Sequence, residues 1–252
     1  MRLSIVIPCL NEESAIRSVI HDAHDMARLA DVDANDYEVV VADNGSRDRS
    51  VEYATQEGAR CIMIEDIGYG NALRGGLDAA RGDVIIMADA DGSYDLKEAT
   101  AMFRQIENGE CDMVIGNRLH NIHKGAMPWS HRYFGVPLLS LMGRLKYRTD
   151  IRDFHCGMRA ISRQNWQELS KLCKASGMEF ASEMIGKAVM TGCQIAQIPV
   201  TLRNDLRSEG EESHLKTIRD GFRHLREIFL NSGKLFFISP TLSLHLEFFA
   251  YL

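Results

Sequence analysis

The sequence predicts an α/β protein built on a mostly parallel, doubly wound sheet and followed by an amphipathic helical tail. Three observations carry this expectation. Short apolar runs alternate five times with amphipathic stretches, the last run ending at Gly116, the order that lays parallel strands under covering helices. The runs are continuous in Ile, Val, Leu and Met, as strands buried on both faces are. The fourth run, Asp83-Val-Ile-Ile-Met-Ala-Asp89-Ala-Asp91, stops at two carboxylates one residue apart, at the end of a strand where open α/β sheets place their ligands.

Each element follows from its residues. The first strand covers 3–7 and ends at Pro8, and Asn11 is then a plausible N-cap for a helix with Ile16, Val19, Ile20, Ala23 and Ala27 on its apolar face. A second strand over 37–42 leads into the turn Asp43-Asn-Gly-Ser46 and a short helix through Val51 and Ala54. Residues 61–64 make a third strand, and 70–81 a helix with Ala72, Leu73, Gly76, Leu77 and Ala80 inward. The run ending at Asp89 is the fourth strand. A helix over 95–108 (Leu96, Ala99, Phe103, Ile106) and a strand over 113–116 complete the alternation. Beyond Gly116 the pattern breaks down into a helix over 130–146, a short strand over 157–161, helices over roughly 163–173 and 179–191, a strand over 194–200 and a basic helix over 213–230.

With 252 residues and 45% hydrophobic content, the chain can bury a substantial core. A net charge of −6 argues against a nucleic-acid partner. The six cysteines, Cys9, Cys61, Cys111, Cys156, Cys173 and Cys193, show no Cys-x-x-Cys spacing and read as reduced core thiols, not as a zinc site or a disulfide framework. The first residues enter a strand directly, without the features of a signal peptide, so residence on the cytosolic side is expected.

Several residues suggest chemistry. Asp89 and Asp91 offer hard oxygen donors suited to Mg²⁺ or Mn²⁺ against a pyrophosphate, the alternative being that they cap the helix beginning near Asp95. Asp43 is placed to accept from a uracil or guanine ring N–H, or else closes an Asx-turn. In Gly68-Tyr-Gly-Asn-Ala-Leu-Arg-Gly-Gly76, glycines open a helix, so Gly70, Asn71 and Arg74 are candidates for close approach to a ligand; Gly75 and Gly76 equally permit tight packing on the sheet. No Gly-Lys-Ser/Thr follows, so this is not a Walker loop. Arg118 can neutralise a diphosphate or an acceptor phosphate, or stand as an ordinary loop arginine. Asp153, His155 and Arg159 flank Cys156-Gly157 in a polar cluster, where His155 is a base, a phosphate ligand or a hydrogen-bonded loop residue.

Six stretches recur in a family's order across roughly 3–230: Ile5-Val-Ile-Pro-Cys-Leu-Asn-Glu-Glu13, Val40-Val-Ala-Asp-Asn-Gly-Ser46, Gly68-Tyr-Gly-Asn-Ala-Leu-Arg74, Met87-Ala-Asp-Ala-Asp91, Gly116-Asn-Arg118 and Asp153-Phe-His-Cys-Gly-Met-Arg-Ala160. Together they resemble the family 2 inverting glycosyltransferases, most closely the branch of dolichol-phosphate mannose synthase and bacterial polyprenyl-phosphate sugar transferases. The resemblance implies a Rossmann-like GT-A fold over 1–230, with a nucleotide-sugar half (1–118) and an acceptor half (119–230), and an apolar tail over 231–252. It implies that Pro8, Leu10, Asn11 and Glu12 line the nucleotide, Asp43 the base, and Asp89 and Ala90 the ribose and diphosphate region. Asp91, with Asp89, holds the metal, and Arg118 faces the phosphates. The stretch Glu179-Phe-Ala-Ser-Glu183 resembles the acceptor-side helix, and 207–216 the mobile loop, with Arg207, His214 and Lys216 as phosphate ligands. Spacing in that loop departs from the dolichol-enzyme pattern, and Asn44 replaces the second aspartate of the common Asp-Asp-Gly-Ser form.

The expected reaction moves a hexose from a UDP- or GDP-linked sugar to a polyprenyl or dolichyl phosphate. Such a phosphate monoester has a second pKa of about 6 and attacks as an oxyanion without a strong base. Transfer to a glycan hydroxyl is the alternative, and Asp153 or His155 would then supply the base; a noncatalytic nucleotide-sugar-binding protein is a third reading. Two stretches set apolar residues beside basic ones: Tyr133, Phe134, Leu138, Leu141 and Leu145 with Arg132, Arg144 and Lys146, and Ile218, Phe222, Leu225 and Phe229 with Lys216, Arg219, Arg223 and Arg226. Helices of this kind lie in the headgroup region of anionic membranes, or their apolar faces complete the core. The tail is interrupted by Pro240, His245 and Glu247 and reads as an interfacial anchor or the remnant of a membrane domain. The expected location is the cytoplasmic face of the membrane, peripheral or tail-anchored, with a membrane-embedded partner or a second copy as further partners.

Overall fold

A computed structural model describes residues 1–207 together with Arg223, His224 and Arg226. His214, Lys216, the tail over 231–252 and, apart from those three positions, the helix expected over 213–230 lie outside the described residues.

One sheet of seven strands organises the chain: β1 (Leu3–Cys9), β2 (Tyr37–Asp43), β3 (Arg60–Met63), β4 (Val84–Met87), β5 (Met113–Asn117), β6 (Arg159–Ser162) and β7 (Ile195–Pro199), in the order β3-β2-β1-β4-β6-β5-β7. The helices are α1 (Ile16–Leu29), α2 (Ser50–Gln56), α3 (Tyr69–Ala79), α4 (Ala99–Glu107), α5 (Val136–Tyr147), α6 (Arg163–Leu169) and α7 (Phe180–Met190). The predicted alternation is present because its signals are local: β1, β4 and β5 are buried at every position, and α1 buries Ile16, Val19, Ile20, Ala23, Met26 and Ala27 along one face.

Most boundaries shift by a few residues from expectation, and two features near β1 have a clear cause. Strand β1 runs through Pro8 to Cys9, because its ladder with β4 stops at the Val6 and Met87 pair and leaves an open side where a residue without an N–H is tolerated. Asn11 does not cap α1. Its φ of 54° is left-handed, its Oδ1 accepts from the Arg47 N–H at 2.8 Å, and its own N–H donates to Ser46 Oγ at 2.9 Å. Asparagine tolerates that backbone region, and here it ties the loop after β1 to the loop after β2.

The larger surprise is β6. It enters the middle of the sheet, antiparallel to both β4 and β5, with Arg159 opposite Met87 on one side and Ile115 on the other. The second half of the chain therefore completes the centre of the sheet, and the 153–157 turn arrives beside the ends of β4 and β5. A π-helical turn (His131–Gly135) precedes α5, whose buried residues are Ser140, Gly143 and Tyr147. A Cβ on Gly143 would lie 2.7 Å from the Phe154 ring, so the small residues face inward. Trp129, Tyr133, Phe134, Leu138, Leu141 and Leu145 remain exposed, and this apolar face does not complete the core.

Candidate active site

The carboxyl ends of the parallel strands collect the polar residues of the first half. Asp89 and Asp91 follow β4 and have separate environments. Asp89 Oδ1 accepts from Tyr69 OH at 2.8 Å, and its Oδ2 faces Gly157, where a Cβ would fall 2.2 Å away. Asp91 Oδ1 accepts from the Ser93 N–H at 3.0 Å, while Oδ2 lies 3.6 Å from Arg207 Nη2. Neither caps the following helix, because Asp95 does so itself by accepting from the Lys97 N–H. Burial, and then the charge of Asp91, pushes the Asp89 carboxyl up to about 6 against the opposing effects of Tyr69, Arg118 and Arg207.

Crowded carboxylates of this kind fit a divalent cation, which relieves their repulsion. Among the described residues no group of three or more His, Cys, Asp or Glu is placed to hold a metal. Asp91, aided by Asp89, would thus supply the protein's share of the ligands, leaving the remaining positions of an octahedral Mg²⁺ or Mn²⁺ to water and phosphate oxygens.

Arg118, just past β5, is fixed by Asp153. Its Nε donates to Asp153 Oδ2 at 2.7 Å and Nη2 to Oδ1 at 3.0 Å, while Nη1 reaches Tyr94 OH at 3.3 Å. Asp153 is fully buried, and its carboxylate also accepts from the Arg118 and His155 N–H groups. The carboxylate, expected as a base should the acceptor be a hydroxyl, is engaged here in orienting Arg118. Burial works against the Arg118 charge, but Asp153 more than offsets it.

His155 lines the cleft, with Nε2 3.3 Å from Ser182 Oγ and its ring edge-on to His224 at 4.4 Å. Burial first, then His224, Arg118 and Arg159, hold its pKa well below the ordinary value. This environment favours the neutral imidazole. Arg159 is buried beneath, donating to the carbonyls of Cys156, Ala181 and Phe154.

Other residues shape the nucleotide side. Both Asp43 oxygens accept from the Ser46 N–H, and Oδ2 also from the Gly45 N–H, so the Asx-turn forms and the carboxylate is buried. Asn44 explains its own departure from an aspartate: Nδ2 donates to the Ile64 and Asp66 carbonyls, and Oδ1 accepts from the Gly68 N–H. An ionised aspartate could accept there but not donate. Glu12 is buried and accepts twice from Arg207. Pro8, Leu10 and Asn11 continue from β1 beside it, and Ala90 is buried between the two aspartates.

The glycine-rich start of α3 packs against another part of the chain. The Gly70 and Asn71 N–H groups donate to the Ser176 carbonyl, a Cβ on Gly70 would fall 2.5 Å from the Ala175 carbonyl, and Arg74 donates to Asn71. The close approach is to the chain's own 174–177 loop, while Gly76 packs against Val6 and Ala42. Gly70, Asn71 and Arg74 thus have a packing role at this loop, alongside the ligand contacts expected of them.

Asp89, Asp91, Arg118, His155 and Arg207 line one cavity of about 410 Å³. Sequence reasoning missed Tyr69, Tyr94 and Ser182, which hold its polar residues. Tyr69 belongs to the Gly68 to Arg74 stretch and Ser182 to Glu179-Phe-Ala-Ser-Glu183, so membership of these stretches is the signal for both.

The fold and this constellation define a glycosyltransferase. Residues 4–169 match glycosyl transferase family 2, and the chain belongs to that family. It is 38% identical over 244 residues to the low-salt glycan biosynthesis hexosyltransferase Agl6 of Haloferax volcanii, covering 96% of this chain and 56% of Agl6. It is 34% identical over 203 residues to the dolichyl-phosphate hexose transferase of the same organism, covering 80% of this chain and 82% of that protein. The chain thus spans little more than half of Agl6. Glucosyl-3-phosphoglycerate synthase from Mycobacterium tuberculosis, in complex with Mg²⁺ and UDP, aligns with a TM-score of 0.64 at 26% identity over 82% of this chain and 72% of that one. Its complex with Mn²⁺, UDP and glucosyl-3-phosphoglycerate aligns with a TM-score of 0.71 at 23% identity, over 93% and 81% of the two chains, which establishes the GT-A-like fold.

Proposed function

We propose that the protein transfers a hexose from a UDP- or GDP-linked sugar to a polyprenyl or dolichyl phosphate, with inversion, at the cytoplasmic face of a membrane. The observation that carries this reading is a cavity that sets guanidinium groups beside carboxylates and whose wall runs into an apolar surface. Arg118 and Arg207 line the cavity with Asp91, and its Ala126, Met127, Pro128 and His131 wall leads along the chain into exposed Trp129, Tyr133, Phe134 and Leu138. A phosphate head suits the first and a prenyl chain the second. The 34% identical dolichyl-phosphate hexose transferase supports the same acceptor class.

Arg118, held in one orientation by Asp153, would align the attacking phosphate oxygen, which is already ionised near neutral pH. A phosphate acceptor needs no strong base, and Asp153, the candidate base, is paired with Arg118. Arg207 stands at the diphosphate side. Mg²⁺ or Mn²⁺, when bound at Asp91 and Asp89, supplies positive charge for the departing nucleoside diphosphate.

The test is incubation with Mg²⁺ or Mn²⁺, labelled UDP- and GDP-hexoses and a short-chain polyprenyl phosphate. Label in the organic phase is expected, and label only in free sugar or a water-soluble glycan would overturn the acceptor assignment. Sedimentation with anionic vesicles at low salt tests the membrane: the protein should pellet, and Leu138→Lys with Leu145→Lys should release it. Wild-type protein remaining in the supernatant would refute membrane association.

A further inference from the structure

We propose that Tyr69 is a positioning residue that reserves Asp89 for the donor nucleotide and leaves Asp91 as the principal metal ligand. The inference rests on the reading of the cavity as a nucleotide-sugar site. Its geometry begins with the carboxylate itself. Tyr69 OH donates to Asp89 Oδ1 at 2.8 Å, and the Oδ2 edge stands against Gly157, where a Cβ would be 2.2 Å away. Asp89 is therefore held from both sides, one oxygen committed to a phenol and the other given room by a glycine. Among the described residues, Asp91 Oδ2 accepts no hydrogen bond, and Arg207 Nη2 lies 3.6 Å from it.

Tyr69 is itself held from the second half of the chain. It is the first residue of α3, and the next two N–H groups donate to the Ser176 carbonyl at 2.9 and 3.3 Å. That loop is fixed in turn by Glu183 on α7, a buried carboxylate accepting from Lys174 N–H at 2.9 Å and Ala175 N–H at 2.8 Å. Gly68, with φ of 141°, abuts the Ser176 carbonyl closely enough that a Cβ would be 2.2 Å from its oxygen, so the docking tolerates no side chain there. The acceptor-side helix thus reaches Asp89 through hydrogen bonds joined by short stretches of backbone, ending at the Tyr69 phenol.

A double-mutant cycle tests this by direct binding of UDP and GDP with Mn²⁺, without requiring turnover. Tyr69→Phe removes one oxygen and keeps the ring; with melting unchanged within a few degrees, it should weaken nucleoside diphosphate binding about tenfold. In an Asp89→Asn background the same substitution should change affinity less than threefold, because residues acting as one unit are non-additive. Equal losses in both backgrounds, or no loss in wild type, would overturn the positioning role. If wild-type protein binds neither nucleotide, the nucleotide-sugar reading itself fails, a result distinguishable from failure of the Tyr69 proposal.

Discussion

Arg207 rests on Glu12, with Nη2 2.6 Å from Oε1 and Nε 3.1 Å from Oε2, and the same Nη2 is 3.6 Å from Asp91 Oδ2. The guanidinium balances the carboxylate assigned to the metal, so cation entry competes with it. Arg207→Ala should bind Mn²⁺ in the absence of nucleotide roughly threefold to tenfold more tightly, the scale of an ion pair contributing about 1 kcal/mol. Calorimetric titration checks this, and unchanged Mn²⁺ affinity would show that Arg207 does not compete.

The buried pair of Arg118 and Asp153 predicts a loss of both stability and activity. Asp153→Asn leaves a guanidinium without its counter-charge, at a cost of about 3 kcal/mol or more. Urea unfolding should show that loss, and transfer should fall at least tenfold. Arg118→Lys should keep more stability but still lose transfer, because an ammonium cannot reproduce the two parallel bonds.

Asp89 predicts a pH dependence. Its folded-state pKa of about 6 lies above the ordinary carboxyl value of 3.8, so its contribution to stability is fully present below pH 3.8 and lost as pH rises through 6. Asp89→Asn should therefore melt higher than wild type in EDTA at pH 7.5, with the difference disappearing near pH 4. Ionised Asp89 adds negative charge beside Asp91, so Mn²⁺ binding to wild type should strengthen as pH rises through about 6. Melting curves and Mn²⁺ titrations at pH 4, 5.5 and 7.5 report both signs.

Asn44→Asp restores the commoner residue of the Asp-Asp-Gly-Ser form but removes both donors to the 64–66 carbonyls. Leaving those groups unsatisfied costs about 1–3 kcal/mol. Chemical unfolding should detect the loss, and nucleotide affinity should weaken because the loop beside Asp43 is released.

How much of this was legible in the sequence follows from the range of each interaction. Strands β1 to β5 declare themselves through contiguous apolar runs, and Asp89 and Asp91 declare the site because they end one of them. The four residues of β6 carry no sign that they belong between β4 and β5; that placement is decided by the partners they meet. The glycines opening α3 announce a close approach, but their sequence cannot say that the partner is the Ser176 carbonyl and not a phosphate. Asp153 looked like a candidate base until Arg118, 35 positions away, was seen to occupy it. The apolar positions of α5 were readable, whereas their exposure depends on Gly143 and Ser140 taking the inward face.

The most direct test of the central claim is nucleoside diphosphate release from a labelled nucleotide sugar, measured with polyprenyl phosphate and Mn²⁺ for wild type and Asp91→Ala. Release should match lipid-linked hexose one for one in wild type and fall at least a hundredfold in the variant, in keeping with loss of about 3 kcal/mol of transition-state stabilisation. Undiminished release and lipid labelling by Asp91→Ala would contradict the assignment of this site.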